Sequence, residues 1–187
     1  NRLVRQADLD VVETKAGPQV PNHYRVRINP GDLDADLDRD ELAYELMHAL
    51  ATTAADRGWR TGGPVRVEIA TDEAVAAGTL RCEGSTVLGP LPSWGQLIDT
   101  RGSHAIELTD NRVVIGRADD ADARLPQSEI SRYHAIVFRQ GGRTWATDAG
   151  SVNGTSVNGT PVHTKPVPIS AGDELTLGPA TFFFRLL

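Results

Sequence analysis

Short strand-like runs recur through the second half of the chain, and they constrain the fold more than any other feature. Short apolar runs bounded by turn residues are typical of β-strands. These runs span 97–100, 104–108, 112–116, 134–139, 143–147, 174–177 and 181–187. Turn residues separate them and no helical spacing interrupts them, so we expect an all-β antiparallel sandwich over residues 97–187.

The first half of the chain shows both kinds of spacing. Residues 22–29 alternate, a shorter alternating run at 65–69 predicts a second strand, and residues 79–87 predict a third. Residues 1–20 have little periodicity. For that segment we expect either a frayed helix or an extended arm that ends at Gly17-Pro18.

A single helix is predicted between the first two of these strands. Asp38 precedes an apolar series with helical spacing, and Glu41 stands three residues later, as in a capping box. Gly58 follows the series and is suited to end a helix. The resulting β-α-β-β order predicts a small α+β domain over residues 1–88, and the Pro and Gly residues at 89–96 predict a linker.

Charge and cysteine content exclude several classes of protein. Residues 1–100 hold ten Lys and Arg against sixteen Asp and Glu, a net charge of −6, whereas residues 101–187 hold nine of each. An acidic first half argues against nucleic acid as a partner, because nucleic-acid binding requires a basic surface. Cys82 is the only cysteine, so we expect neither an internal disulfide nor a Cys-based metal site. We interpret it as a strand residue without chemistry, and we expect no cofactor, no membrane span and a cytoplasmic location.

Four short motifs follow one another within the predicted sandwich. Gly116-Arg117 closes one strand, Ser131-Arg132-Tyr133-His134 opens another, and Asn153-Gly154-Thr155 and Asn158-Gly159 lie in a loop region. In this order and at these spacings, the motifs resemble the signature of the forkhead-associated (FHA) family. The resemblance covers roughly residues 97–187. It implies a β-sandwich that binds a phosphothreonine on a partner protein and that is not an enzyme.

The chemistry of the motif residues fits such a ligand independently of the resemblance. A phosphothreonine carries a charge of about −1.5 to −2 and three acceptor oxygens. Arg117 and Arg132 offer guanidinium donors and Ser131 offers a hydroxyl. All three are predicted at junctions of strands and loops, where a sandwich scaffold presents its binding residues.

The resemblance also implies a role for each motif residue. Arg117 holds the peptide main chain and the phosphate, Ser131 hydrogen-bonds the phosphate with assistance from Arg132, and Asn153 bonds the peptide main chain beyond the phosphothreonine. The other motif positions are implied to be structural, with the histidine tying the loops together and glycines allowing tight turns. These structural positions are Gly116, His134, Gly154, Asn158 and Gly159.

One position departs from the family pattern. Many members carry Thr directly before the Asn-Gly pair, where it supplies another hydroxyl to the phosphate, and this chain has Val152 instead. The loss of one hydrogen bond to a charged group costs about 1.5–3 kcal/mol. Ser151, one residue earlier, cannot be assumed to replace it. We therefore expect weakened affinity with an unchanged mode of binding.

Two further patterns admit a second interpretation. The acidic residues Asp119, Asp120 and Asp122 are compatible with a metal cluster or with selection of a basic peptide, and we interpret them as an Asx-rich turn. Ser131 with His134 is compatible with a hydrolase, but the sequence has no nucleophile elbow and no acid-bearing motif. Neither pattern is taken as a catalytic or metal site.

The first half of the chain resembles the N-terminal domain of actinobacterial FhaA-type proteins, through the runs 20–26, 63–68 and 78–81. Those proteins couple such a domain to a C-terminal FHA domain and act alongside Ser/Thr protein kinases in contexts tied to the cell envelope. The resemblance therefore implies a signalling adaptor that binds a threonine-phosphorylated protein, with recruitment to the envelope by a partner.

Two alternatives stay open at this point. In one, a phosphorylated threonine in the chain's own N-terminal arm occupies the pocket, and Thr14 is the candidate within residues 1–20. In the other, the FHA domain is degenerate and serves as a phosphate-independent interaction module, for which Val152 is the supporting feature.

Overall fold

A computed structural model describes residues 2–33, 37–100, 102 and 104–187 of the chain. The chain divides into two compact units. The first comprises Asn1–Ala55 and Trp59–Pro90, and the second comprises Asp56–Gly58 and Leu91–Leu187.

Within the described residues, the first unit contains two helices and five strands, with a short 3₁₀ turn at Pro30–Asp32. In chain order they are α1 (Arg2–Leu9), β1 (Val12–Thr14), β2 (Gly17–Gln19), β3 (His23–Ile28), α2 (Arg39–Arg57), β4 (Arg66–Thr71) and β5 (Leu80–Ser85). Strand β3 lies in the middle of a three-stranded sheet, parallel to β4 and antiparallel to β5. The predicted β-α-β-β order is confirmed by β3, α2, β4 and β5.

The predicted helix forms where its capping signals indicate. The Asp38 carboxylate accepts hydrogen bonds from the main-chain N–H groups of Asp40 and Glu41, at 2.9 and 3.2 Å. These bonds satisfy two of the donors that a helix leaves unpaired at its first turn. Gly58 follows the helix with a φ of 67°, in the left-handed region that glycine adopts without a steric penalty.

The core of the first unit forms on one side of its sheet. Tyr24 and Val26 are buried, whereas Arg25 between them is exposed, as the alternation in 22–29 predicts. The buried cluster consists of Leu3, Ala7, Val20, Tyr24, Val26, Leu50, Ala54 and Trp59. Helices α1 and α2 thus supply the apolar side chains that cover the inner face of strand β3.

The extended arm expected as one alternative for residues 1–20 is wrong. Helix α1 buries Leu3 and Ala7, which lie four residues apart and therefore on one helical face. Strands β1 and β2 then form an antiparallel hairpin that closes beside Gly17, whose φ is 107°. The segment lacks a recognisable period because the helix spans only two turns and the hairpin strands have three residues each.

The second unit is a sandwich of two sheets. Its strands are β6 (Gly95–Asp99), β7 (Ala105–Leu108), β8 (Arg112–Gly116), β9 (Ala123–Arg124), β10 (Ala135–Gln140), β11 (Arg143–Asp148), β12 (Thr155–Val157), β13 (Thr160–Val162), β14 (Val167–Ile169), β15 (Glu174–Leu177) and β16 (Ala180–Leu186). One sheet has the order β14-β11-β10-β8-β9 and the other has the order β13-β12-β15-β16-β6-β7. All pairings in the two sheets are antiparallel except that of β8 with β9. The predicted all-β class of this region is confirmed.

All seven predicted runs contain a strand, and four short strands were not predicted. The missed strands are β9, β12, β13 and β14, each of two or three residues. Such lengths are too short to display alternation. His134 lies one residue before β10 rather than within a strand.

The start of the sandwich differs from the predicted boundary at residue 97. Trp94 is buried in the sandwich core, and its indole Nε1–H donates to the main-chain oxygen of Asp110 at 2.8 Å. Strand β6 begins immediately afterwards, at Gly95. The last residues of the predicted linker 89–96 therefore belong to the sandwich, because Trp94 supplies core area that the Pro and Gly content of the segment does not reveal.

Candidate phosphopeptide site

Three loops of the sandwich are joined by hydrogen bonds at the predicted motifs. The main-chain N–H of Arg117, after β8, donates to the oxygen of Ser131 at 2.9 Å, and that of Ala118 donates to the oxygen of Arg132 at 3.1 Å. The N–H of Val152, in the loop between β11 and β12, donates to the Ser131 hydroxyl oxygen at 3.0 Å. Motifs separated by up to 35 residues are thereby held next to one another.

The two arginine side chains have uncommitted donors. Nε of Arg117 donates to the main-chain oxygen of Ile130 at 3.1 Å, which orients the guanidinium. Among the described residues, neither Nη atom of Arg117 and no nitrogen of the Arg132 side chain has a hydrogen-bond or ion-pair partner. Both residues are exposed. Two cationic groups are therefore presented at the joined loops, one of them oriented by a main-chain carbonyl.

The buried side chain of His134 links the loop before β10 to the loop between β11 and β12. It is fully buried, its Nδ1 accepts from the main-chain N–H of Ser131 at 3.1 Å, and its Nε2 bonds the main-chain oxygen of Gly154 at 2.9 Å. A carbonyl oxygen only accepts, so the ring carries its hydrogen on Nε2 and is neutral. Neither ring nitrogen bonds the Ser131 hydroxyl, and this arrangement does not activate Ser131 as a nucleophile.

Asn153 is exposed at the edge of the joined loops. Its Nδ2 donates to the main-chain oxygen of Glu129 at 2.7 Å, so the side chain is held across to the loop that precedes β10. Gly154, the next residue, has a φ of 78°, where a side chain would be strained. The Asn153-Gly154 pair thus turns the chain while fixing one amide side chain at the surface.

Gly116 allows a close approach rather than the tight turn that the resemblance implies. A Cβ atom at this position would overlap the main-chain oxygen of Arg132, which no side chain could tolerate. Because the neighbouring atoms belong to the backbone, they cannot move aside. A side chain at residue 116 would push apart the two segments that carry Arg117 and Arg132.

Asn158 and Gly159 form the turn of the hairpin between β12 and β13, at the end of β12 opposite Asn153. Their φ angles are 48° and 76°, as a two-residue hairpin turn requires. The Asn158 side chain donates to the Asp173 carboxylate at 2.9 Å and accepts from the main-chain N–H of Glu174 at 2.9 Å. The structure therefore places this pair in the scaffold and not with the arginines.

Val152 and Ser151 differ sharply in their environments. Val152 is 88% exposed, so its isopropyl group contributes nothing to the sandwich core. The Ser151 hydroxyl donates to the Asp148 carboxylate at 2.6 Å. Ser151 is therefore already engaged within the loop and does not stand in for the threonine hydroxyl that Val152 replaces.

Asp148 is a residue of this region that the motifs did not reveal. Its carboxylate accepts from the main-chain N–H groups of Gly150 and Ser151 and from the hydroxyls of Ser151 and Thr155. Burial raises the pKa of this carboxyl, but the hydrogen bonds outweigh burial and hold the pKa below its ordinary value. The sequence Asp-x-Gly after a strand is an Asx-turn signal and could have identified it.

The three acids of the loop after β8 each have a partner. Asp122 accepts from the main-chain N–H of Val114 at 2.8 Å, and Asp119 forms an ion pair with Arg124 at 3.1 Å. The Tyr133 hydroxyl donates to the Asp120 carboxylate at 2.6 Å. In the described ranges, no group of three His, Cys, Asp or Glu side chains could hold a metal ion.

Two further observations concern chemistry elsewhere in the chain. Cys82 lies on β5 against the core of the first unit, and burial, followed by the nearby carboxylates of Asp10 and Glu83, raises the pKa of its thiol to about 11. No helix within the described residues has the length and apolar character needed to cross a bilayer.

Comparison with known proteins accounts for both units. The FHA domain family model matches residues 113–178, and the model of the N-terminal domain of FhaA matches residues 1–83. The oxoglutarate dehydrogenase inhibitor of Corynebacterium diphtheriae is 32% identical over 139 residues, which cover 73% of this chain and 92% of that protein. The ABC transporter ATP-binding/permease protein Rv1747 of Mycobacterium tuberculosis is 32% identical over 133 residues, 71% of this chain but only 15% of the transporter.

Solved structures similar to this chain include FHA domains. A structure concerned with phosphothreonine-dependent FHA domain interactions is 31% identical, covering 51% of this chain and 98% of its own, with a TM-score of 0.46. The FhaA FHA domain complexed with the intracellular domain of Rv3910 is 33% identical, covering 49% of this chain and 99% of its own, with a TM-score of 0.44. The two family models and the relative matched over 92% of its length show that the chain belongs to the FHA-domain proteins and joins an FhaA-type N-terminal domain to an FHA domain.

Proposed function

We propose that this protein is a signalling adaptor whose FHA domain binds a phosphothreonine on a partner protein. One observation carries the proposal: the two Nη atoms of Arg117 and the whole guanidinium of Arg132 have no hydrogen-bond or ion-pair partner among the described residues, and they stand on loops that are hydrogen-bonded to each other. Unpaired cations on a rigid surface fit a ligand that brings its own negative charge.

The proposed roles follow from the geometry of each donor. Nε of Arg117 is held by the oxygen of Ile130, so the two Nη atoms are the donors directed to the phosphate and the adjacent main chain. The Ser131 hydroxyl oxygen already accepts from Val152, which leaves its hydrogen available to a phosphate oxygen. Arg132 adds charge, and Asn153 contacts the peptide beyond the phosphothreonine. His134, Gly116 and Gly154 maintain the spacing of these groups.

The biological setting is proposed from the relatives. One relative is named as an inhibitor of oxoglutarate dehydrogenase, and a similar FHA domain was solved with the intracellular domain of another protein. We propose that this chain likewise acts by binding and not by catalysis, downstream of Ser/Thr protein kinases, in the cytoplasm and with recruitment to the envelope by its partner. The N-terminal domain would supply a second protein contact.

The alternative in which the chain binds its own phosphorylated Thr14 has a structural obstacle. Thr14 lies in hairpin strand β1. Its hydroxyl donates to the main-chain oxygen of Gly17 at 2.7 Å, and the same hydroxyl oxygen accepts from the main-chain N–H of Ala16 at 3.2 Å. Phosphorylation would remove that hydroxyl donor, and threading the peptide into a pocket would require the hairpin to open. Binding to another protein needs no such rearrangement.

A phosphothreonine peptide-library screen of the full chain tests the proposal, with every selected peptide also measured in its unphosphorylated form. We expect binding only to phosphorylated peptides, weakening with added salt because the contacts are ionic. Equal affinity for both forms would support the degenerate, phosphate-independent alternative. A change in hydrodynamic radius after kinase treatment of the chain alone, abolished by Thr14→Ala, would support self-binding.

A further inference from the structure

We propose that Asp148 is a positioning residue for the phosphothreonine site, fixing the shape of the loop at residues 150–153. The inference rests on the proposed function of that site, and it assigns a role to a carboxylate that lies outside the four motifs. Asp148 is the last residue of strand β11, so it belongs to the rigid sheet. The loop that it would hold leads from β11 into β12.

The Asp148 carboxylate contacts both ends of this loop. One oxygen accepts from the main-chain N–H groups of Gly150 and Ser151, both at 2.8 Å. The other oxygen accepts from the Ser151 and Thr155 hydroxyls, both at 2.6 Å. Four donors therefore converge on one side chain, and they span the loop from its first residues to the start of β12.

The held loop delivers two contacts to the site. The N–H of Val152 donates to the Ser131 hydroxyl at 3.0 Å, and Nδ2 of Asn153 donates to the oxygen of Glu129 at 2.7 Å. Both contacts cross from this loop to the loop that precedes β10. Displacement of residues 151–153 would therefore alter the orientation of the Ser131 hydroxyl and the position of Asn153 together.

The loop needs a fixed point because glycines stand on both sides of it. Gly150 has a φ of 85° and Gly154 has a φ of 78°. Glycine reaches many backbone conformations at similar energy, so neither residue by itself restricts the segment between them. The hydrogen bonds to Asp148 supply the restriction, within a segment that has no core side chain because Val152 is 88% exposed.

An ionised carboxylate is the group that this position requires. All four neighbours are donors, and a carboxylate is the side chain that only accepts. Asn has nearly the same shape, but its NH₂ group would face two of the four donors. Asp148→Asn therefore disrupts the arrangement without removing volume.

A matched control exists in the same sandwich. The Asp173 carboxylate accepts from the main-chain N–H of Ser170 at 2.7 Å and from Nδ2 of Asn158 at 2.9 Å. It organises a turn before β15 by the same chemistry, yet no hydrogen bond joins it to residues 150–153 in the described structure. Asp173→Asn should lower stability without changing the phosphothreonine site.

The experiment compares wild type, Asp148→Asn, Asp173→Asn and Thr155→Val in the full chain. Calorimetry with one phosphothreonine peptide from the library screen gives the dissociation constant, and melting curves give stability. We expect Asp148→Asn to weaken binding about tenfold or more and Thr155→Val, which removes one of four donors, about two- to threefold. Asp173→Asn should change the affinity by less than about twofold. Wild-type affinity in Asp148→Asn, or an equal loss in Asp173→Asn, overturns the inference.

Amide hydrogen exchange separates this inference from the proposed function. Exchange at Ser151 and Val152 should accelerate in Asp148→Asn and stay at the wild-type rate in Asp173→Asn, with or without peptide. If wild type binds no phosphopeptide, the proposed function fails, and the exchange data still decide whether Asp148 fixes the loop. If Asp148→Asn does not fold, Thr155→Val and Ser151→Ala carry the same comparison, and unchanged exchange and affinity in both would overturn it.

Discussion

The arginines on the exposed sheet face of the first unit and those at the joined loops of the FHA unit differ in whether they have acidic partners. On the exposed sheet face of the first unit, Arg25 pairs with Glu68 at 3.1 Å, and Arg27 pairs with Glu83 at 3.4 Å and with Asp72 at 3.7 Å. At the joined loops of the FHA unit, Arg117 and Arg132 have no acidic partner among the described residues. An arginine neutralised by its neighbours serves the fold, whereas an arginine left unpaired on a rigid loop is available to an anionic ligand.

The same contrast extends to buried polar groups. In the first unit, the buried Asn22 side chain bonds the oxygens of Pro64 and Val87 and the N–H of Val87, which fastens the segment after β5. In the FHA unit, the buried His134 bonds the N–H of Ser131 and the oxygen of Gly154. Both side chains cross-link the backbone, but only His134 links loops that carry proposed ligand-binding residues. Matched substitutions in the two units can therefore separate scaffold from site.

The largest expected effect on phosphopeptide affinity distinguishes an arginine without an acidic partner from one that has such a partner. Arg117→Ala should weaken phosphopeptide binding by about 2–5 kcal/mol, the usual cost of truncating one partner of a charge pair that the bound peptide would cover. Arg25→Ala, which removes the arginine paired with Glu68 on the exposed sheet face of the first unit, is the control and should leave affinity unchanged. Calorimetry with one phosphopeptide tests both. Wild-type affinity in Arg117→Ala would refute the assignment of the site.

The second comparison sets His134→Ala against Asn22→Ala. Each removes a fully buried polar side chain with at least two hydrogen bonds, so each should lower the unfolding free energy of its own unit by about 2–4 kcal/mol. Affinity for phosphopeptide should fall only in His134→Ala, as the loops loosen. Melting curves and calorimetry on both variants decide. Abolished binding in His134→Ala with an unaltered melt would mean that the histidine contacts the ligand directly.

A third prediction concerns the thiol of the first unit. Cys82 has its pKa raised to about 11 by burial and by nearby carboxylates, so at pH 8 it should hold roughly 100-fold less thiolate than an ordinary cysteine. Because the thiolate is the nucleophile, alkylation by iodoacetamide should be slower by a similar factor. The rate should rise about tenfold per pH unit until pH approaches 11. Urea-unfolded chain is the control, and equal rates in the folded and unfolded chain would contradict the assigned environment.

The smallest effect is a gain at the position where the FHA unit departs from its family. Val152→Thr adds a hydroxyl beside Ser131 with little change of shape, and because residue 152 is 88% exposed, stability should not change. If that hydroxyl donates to a phosphate oxygen, the binding free energy should become more favourable by about 1–3 kcal/mol. Loss of the hydrogen bonds of any water that it displaces would reduce this gain. Unphosphorylated peptide should gain nothing. Unchanged phosphopeptide affinity would show that this loop reaches the ligand differently.

The sequence predicted elements with a long regular period and the motifs that carry charge. Helix α2 and strand β3 were recognised because their apolar spacing continues for several residues. The hairpin of β1 and β2 and the strands β12 to β14 were not, since two or three residues cannot display a period. Trp94 was misplaced because a tryptophan among Pro and Gly residues does not show whether it is buried.

Within the site, the residues that donate through their side chains were predictable, and those that hold them were less so. Arg117, Ser131 and Asn153 belong to short motifs with a chemical meaning. Asp148 acts through bonds to main-chain N–H groups, which every residue offers, so its neighbours carry no sequence signal beyond an Asx turn. The close approach of Gly116 to Arg132 depends on the pairing of two strands, which only coordinates reveal.

The exposure of Val152 also makes this chain convenient to study by fluorescence. Cys82, the one native thiol, is partly buried in the other unit, so a dye attached through Val152→Cys would label a single position. The main-chain N–H of that position donates to the Ser131 hydroxyl, so the dye would stand beside the proposed site. An environment-sensitive dye there would report occupancy of the proposed site in real time. Association and dissociation rates for candidate partners could then be read directly, without labelling the partners.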